Sequence, residues 1–489
     1  MAAAVLVALI GVGAGAAISR STPDRHPGHP ARALTVSFGA PGRTVAPGFL
    51  GLSMETDGLT TAGGPIGPFD PVLAQLIKNL SPGARPVLRI GGDSTDYSWS
   101  PIPGVSRPPG VHYSLTSAWL REVRQLAQAT DARLIMGINL QADSRRVAVA
   151  EARAVVGGIG SQSILGLEPG NEPELYRSVT AATTPATPPA QVIPRRFAAF
   201  ARVYSGLTNG LPGGALAGPS IGSDKWLPYL RPFLRGEPRV RVVTVHRYPL
   251  KHCGGGGHST ISDLLSESSS RGLAQSLIPS IRTAHAAGRP LRVDELNSVS
   301  CGGEAGVSDT FASALWSLDT LFEMAGVGVD GVNVHTRPLS FSQLFDLSHS
   351  GSVWHAAVRP EYYGLLTFAL AAPAGSRLLH VSQPPTEGLH IWATRTAAGV
   401  VHVVLINETR RGRALTVSLP GRGTFTTTVL RAPGLGGTGG VTLGDLSFGP
   451  GTRTGVLAGA GPAVRATPYN GPVRVQVPPS SAVLLSPSG

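Results

Sequence analysis

Cysteine is almost missing from this chain: Cys253 and Cys301 are the only two in 489 residues. Two thiols cannot by themselves build a zinc site, whereas one bridge in an oxidising compartment needs no more than two. Lysine is nearly as scarce. Of 41 basic residues only Lys78, Lys225 and Lys251 are lysine, and the arginines are scattered rather than run together. The formal net charge is +12, but binding a phosphate backbone needs cations converging on one face, so no nucleic-acid partner is expected. A positive surface still attracts anionic sugars. Long apolar runs are lacking too. Residues 2–17 (AAAVLVALIGVGAGAA) are apolar but short and rich in Ala and Gly, the form of a secretory leader rather than of a span of roughly 20 strongly apolar residues. No Lys or Arg precedes them, so residues 1–32 read as a signal peptide or an uncleaved anchor, plus a linker. The expected location is secreted or extracytoplasmic, with no stable membrane partner unless that segment stays as an anchor.

What is present is enough to fold. Gly and Pro make up about a fifth of the chain, below the roughly 25–30% that marks low complexity. A length of 489 residues exceeds one ordinary core of roughly 100–200 residues, which points to a large barrel plus a smaller unit. Between residues 48 and 336, eight short β-branched runs alternate with helix-like segments: 49–53, 86–90, 133–138, 164–168, 215–220, 241–246, 291–295 and 331–335. That alternation predicts an α/β fold, a (β/α)8 TIM barrel over 48–372, closed by a helix at 361–371. From 377 onward, alternating runs separated by Gly, Pro and Asn turns predict an antiparallel β-sandwich over 373–489. The run 33–37, within 33–47, is expected to join that sheet.

In such barrels chemistry is built where strands end at their carboxyl side. Glu172 follows the fourth run in GLEPGNEPEL, and Glu295 ends the seventh in RVDELNS. Two carboxylates on one rim are what cleavage of a glycosidic bond requires, one to protonate the leaving oxygen and one to attack the sugar or activate water. Both steps are carboxylate chemistry, so no cofactor and no metal are expected.

The ordered set RIGGDSTDYSW (89–99), GLEPGNEPELY (166–176), HRYPL (246–250) and DELNS (294–298) resembles glycoside hydrolase family 79 of clan A, which contains β-glucuronidases and heparanase. The resemblance covers nearly all of the chain after its leader. It implies a retaining mechanism with Glu172 as acid/base and Glu295 as nucleophile, Asn171 on the sugar 2-hydroxyl, Glu55 in the sugar pocket, and a glucuronate-containing carbohydrate as substrate. In that family a tyrosine side chain and a glycine amide in the loop after the nucleophile help to recognise the sugar carboxylate. Here Gly302 fits the glycine position and Ser300 stands where the tyrosine is expected.

Other residues carry readings of their own. Arg89, inside an apolar run, pairs with a catalytic carboxylate under the rim or snorkels outward, and pairing is favoured. Tyr248 is placed to hold an oxygen of the nucleophile. Asp93 binds a sugar hydroxyl or caps its turn. His246 and His335 contact substrate or serve structure, with His335 kept as a supporting residue. Trp99 leans toward the pocket rather than the core. His252 and His258 read as loop residues, not metal ligands. Cys253 follows the sixth run and Cys301 the seventh; neighbouring barrel strands bring such loops together, so a Cys253–Cys301 disulfide is expected. The competing readings are another clan A β-glycosidase, a β-xylosidase or β-glucosidase, and a noncatalytic glycan-binding protein.

Overall fold

The computed structural model describes residues 34–61, 69–253, 257–382, 386–459 and 466–488. The expected leader, 1–32, and Ala33 lie outside the described residues.

Eight parallel strands close into a barrel in sequence order: Leu50–Glu55, Val87–Gly91, Arg133–Ile138, Ile164–Pro169, Leu216–Ile221, Val240–Arg247, Leu291–Leu296 and Gly331–Thr336, the last pairing back to the first. Each coincides with one of the eight expected runs to within one or two residues. The strands are buried almost throughout, which is why they read as continuous apolar runs rather than alternating ones. The outer helices are set by local signals. Asp70, Thr116 and Ser144 accept backbone N–H groups at the starts of Pro71–Asn79, Ser117–Thr130 and Arg145–Ile159, and Trp119, Leu120, Val123, Leu126 and Ala127 form the buried stripe of the second.

After the eighth strand comes a hairpin, Phe345–Ser350 with Val353–Val358, which was not anticipated. Helix Pro360–Ala371 follows, as expected. The second unit of structure is one ten-stranded sheet. Leu34–Thr44 is an interior strand of it, two from one edge, pairing antiparallel with Arg377–Ser382 and, through Leu34, Thr35 and Val36, parallel with Arg413–Val417; the expectation of a purely antiparallel sheet is corrected at that one pairing. Val36, Leu389, Val403, Leu405, Leu415, Val475 and Val483, from both ends of the sheet, share one core, so the sheet folds over on itself.

Alternation along the strands attaches this sheet to the barrel. Val403 and Leu405 face the sheet's own core, while Val404 and Ile406 join the barrel's core. Trp392 seals the contact, stacked on Phe322 at 5.3 Å and donating from Nε1 to Asp319 Oδ1 at 2.8 Å. Among the described residues no helix is long and apolar enough to cross a membrane.

Candidate active site

The carboxyl ends of the barrel strands carry a dense set of charged side chains, and it is organised around one arginine. Arg89, from the second strand, is fully buried. Its Nε donates to Glu168 Oε2 at 2.7 Å, Nη1 to Glu295 Oε2 at 2.5 Å, and Nη2 to Asn171 Oδ1 at 2.8 Å and Ser220 Oγ at 3.2 Å. A buried guanidinium is tolerated only when its donors meet acceptors and its charge meets charge. Glu168, wholly buried and 2.7 Å from Nε, provides part of that charge, and the equally buried Asp294 lies 3.5 Å from the same nitrogen. The two acids shift in opposite directions. Burial works against Glu168, but Arg89 holds its carboxyl below the ordinary value, whereas burial beside that carboxylate pushes Asp294 well above its own.

Glu295 is fixed at both oxygens. Tyr248 donates to Oε1 at 2.7 Å while Arg89 holds Oε2. Burial alone pushes its carboxyl up; His335 and His246, each 3.8 Å from Oε2, together with Arg89 and the Tyr248 hydrogen bond, more than reverse this and hold it well below the usual range. An anion that stays ionised and has a restricted geometry is what a nucleophile needs.

Glu172 sits on a left-handed turn, φ 45°, a conformation in which a side chain with Cβ is strained. The turn is pinned by its N–H on the Ser220 carbonyl at 2.9 Å and by Leu175 N–H on its own carbonyl at 2.9 Å. A quarter of its side chain is accessible. His246 joins the two glutamates, with Nδ1 3.0 Å from Glu172 Oε1 and Nε2 on Ser220 Oγ at 3.0 Å. One carboxylate oxygen of each glutamate and a ring nitrogen of His246 all lie within 4.8 Å of one another.

Three such donors are also of types that ligate a metal ion. Although burial works against it, the charge of Glu295 and the hydrogen bond to Glu172 push His246 up to about 9. An imidazolium has no lone pair to give, so a metal ion at this position would have to displace that proton.

The remaining candidates form a second row. Glu55 is buried, accepting from Ser94 through both the backbone N–H, at 2.9 Å, and the hydroxyl. His335 Nε2 is 3.5 Å from its Oε1. Burial raises the Glu55 carboxyl, and His335 and Ser94 outweigh that to lower it. Its place explains a glycine: at Gly92, φ +76°, a Cβ would stand 2.6 Å from the Glu55 carboxyl. Asp93 Oδ1 accepts from Asn171 Nδ2 at 3.1 Å. Although much of its side chain is accessible, loss of hydration within the cleft, then the charges of Glu55, Glu295 and Glu172, push its carboxyl up to about 6.

Glu55, Asp93, Asn171, Glu172, Tyr248, Glu295, Arg89 and His335 are thus brought together from six barrel strands and the turns after them. Gly302 lies in the loop that follows the seventh strand. Its carbonyl accepts from Phe341 at 2.8 Å and Ser342 at 3.4 Å. Trp99 is corrected: only 5% exposed, it packs with Val111 and Val147 as a small core and donates to Ser114. Cys253 and Cys301 are joined, tying the loops after the sixth and seventh strands. His252 and His258 both face Glu304, at 2.6 and 3.1 Å. Glu168, Asp294 and the bridging role of His246 were missed from the sequence. A signal existed: an acid inside each of the apolar runs ILGLE and LRVDE matches the arginine inside the second.

No family model and no curated protein matches the sequence. Solved structures match its fold. A 4-O-alpha-L-rhamnosyl-beta-D-glucuronidase from Fusarium oxysporum 12S superposes with TM-score 0.69 at 18% identity, over 93% of this chain and 100% of that one. A GH51 arabinofuranosidase from Xanthomonas axonopodis pv. citri gives 0.64 at 14% identity, over 93% and 100%. The catalytic domain of a GH30 xylanase C from Talaromyces cellulolyticus gives 0.53 at 11%, over 93% and 100%. At these identities the likeness is one of architecture: a closed eight-stranded barrel carrying a separate sheet.

Proposed function

We propose that this chain is an exported retaining glycoside hydrolase that removes β-linked glucuronic acid from glycans or glycoconjugates. The observation that carries the reading is the approach of Glu172 and Glu295, whose carboxylate oxygens come within 4.8 Å across His246. Carboxyl groups about 5–5.5 Å apart suit double displacement, whereas inverting enzymes keep them about 6.5–9.5 Å apart to admit a water. Glu295 attacks the anomeric carbon as Glu172 gives its proton to the leaving oxygen; the C–O bond to the aglycone breaks and an ester to Glu295 forms. Water then attacks the same carbon, Glu172 takes its proton, and the ester bond breaks. Asn171, held by Arg89 and Asp93, faces the position of the sugar 2-hydroxyl. The resemblance to family 79, with a glucuronidase among the fold neighbours, supports the uronate over a neutral sugar.

The test is hydrolysis of an aryl β-glucuronide beside aryl β-xyloside and β-glucoside, with the product anomer followed by NMR. Retention is expected, with loss of about 10²–10⁴-fold in Glu172→Ala, near-complete loss in Glu295→Ala, and rescue of Glu172→Ala by azide. An inverted product overturns the double displacement. Preference for a neutral glycoside overturns the glucuronidase and leaves the β-xylosidase or β-glucosidase reading. Glycan binding that persists while no glycoside is cleaved would make the chain a binding protein.

A further inference from the structure

A uronic acid brings a negative charge into a cleft that already holds Glu55, Glu172 and Glu295. An accessible cation that is only loosely held would offset that charge. Arg89 is buried and makes five hydrogen bonds within the cluster. His246 and His335 are buried against the glutamates. Arg247 is buried and held by Asp224 at 2.9 Å. Arg337 differs from all of these: 45% of its side chain is accessible, Asp93 Oδ2 lies 3.5 Å from Nη1, and, although partial burial works against it, the charges of Glu55, Asp93 and Asp57 around it hold its guanidinium protonated. A strong charge-assisted hydrogen bond is about 2.7–2.9 Å long, so the Asp93 contact is loose.

The backbone places Arg337 between the turn after the first strand and the loop that follows Glu295. It directly follows the eighth strand, Gly331–Thr336. On one side, Pro338 lies over the turn after the first strand, where a Cβ on Gly58 would be 3.2 Å from the proline and 3.1 Å from Glu55 Cβ. On the other, Phe341 donates to the Gly302 carbonyl at 2.8 Å, tying the same loop to the one that follows Glu295. That loop offers Ser300 where a phenol is expected, and Ser300 N–H is already spent on the Leu250 carbonyl. The carboxylate therefore needs another partner close by.

We infer that Arg337 is the residue that recognises the sugar carboxylate, its guanidinium leaving Asp93 to take the uronate oxygens in a two-pronged contact. A planar guanidinium matches a carboxylate oxygen for oxygen, which a lysine ammonium does not. Asp93 keeps its hydrogen bond from Asn171 when the arginine departs. With its carboxyl raised to about 6, it also competes less for the cation in mildly acidic solution.

The inference rests on the glycosidase reading above, and the experiment separates the two. An aryl β-glucuronide and its methyl ester differ by one charge at the position Arg337 is assigned to read. Wild type is expected to prefer the acid, and Arg337→Gln to reduce the acid-to-ester ratio of kcat/KM by about ten- to a hundredfold, the worth of a hydrogen-bonded charge pair. The change should fall mainly on KM, and Arg337→Lys should recover part of the ratio. Matching thermal midpoints exclude misfolding as the cause. A ratio unchanged in Arg337→Gln overturns the assignment while leaving the hydrolase intact. A wild type indifferent to the charge, or favouring the ester, overturns it as well. A wild type that cleaves neither substrate overturns the hydrolase reading, and this inference with it.

Discussion

At the scale of single residues, the cleft is governed by compensation of buried charge. Arg89 makes this concrete: an arginine in an apolar strand either escapes to water or is paired, and here it is paired with Glu168 and Glu295. Tyr248 shows the same logic for protonation. Its hydroxyl stabilises the anionic form of Glu295, so removing it raises that carboxyl toward its ordinary value. Tyr248→Phe is therefore expected to lower kcat by about ten- to a hundredfold and to move the acid limb of the pH–rate profile to higher pH. An acid limb that stays in place would show that the phenol does not tune Glu295. The residue scale also shows where reading failed. Trp99 stands beside the Gly-Gly-Asp turn, and nothing in its local sequence says that Val111 and Val147 close over it.

Elements position these residues, and the loops between them are held by more than one device. Cys253–Cys301 closes a separation of 48 residues. Loops of that size give about 2–4 kcal/mol when cross-linked. The same two loops are also joined by a parallel bridge between Leu250 and Val299 and by the Ser300–Leu250 hydrogen bond, so the native pairing persists without the disulfide. Replacing both cysteines by serine is expected to cost about 2 kcal/mol, seen as a lower denaturant midpoint, with the m-value rising as the released unfolded chain expands. A midpoint equal to that of the wild type would mean that the unfolded chain gains nothing from being released. Strands and capped helices were readable because their signals are local; the hairpin at Phe345–Val358 was not, since its exposed, mixed residues resemble a loop.

Across the whole molecule, titration above about pH 5 lowers stability, because the groups that titrate there have raised values. Burial raises Asp96 to about 7, and burial with the charge of Glu172 raises Glu174 to about 7. His246 and His390 are raised to about 9, against burial, by the carboxylates around them. A group whose folded pKa is raised contributes stability that is complete below its unfolded value and disappears as pH climbs through the folded one. For the acids that window runs from about 4 to 7, and for the histidines from about 6.5 to 9. Glu295, Glu168 and Glu55 are lowered instead; their contribution is present above the unfolded carboxylate value and fades only in stronger acid. The thermal midpoint is thus expected to be highest near pH 5 and to fall by several degrees by pH 9, with the upper part of that fall reduced in His246→Asn. A midpoint that rises from pH 5 to 9 would contradict these assignments.

The sequence by itself determined the barrel, the sheet that follows it, and the two glutamates on the rim. Each depends on a period or a position within about ten residues, and hydrophobic alternation is a property of the chain before it folds. The tertiary structure decided the company those glutamates keep. Arg89 meets Glu295 across 206 residues and Glu168 across 79, and His246 reaches Glu172 across 74. No local pattern encodes such distances. They follow from closing eight strands into a ring, which brings every strand end to one rim and leaves each buried charge to be satisfied by whichever neighbour the closure provides.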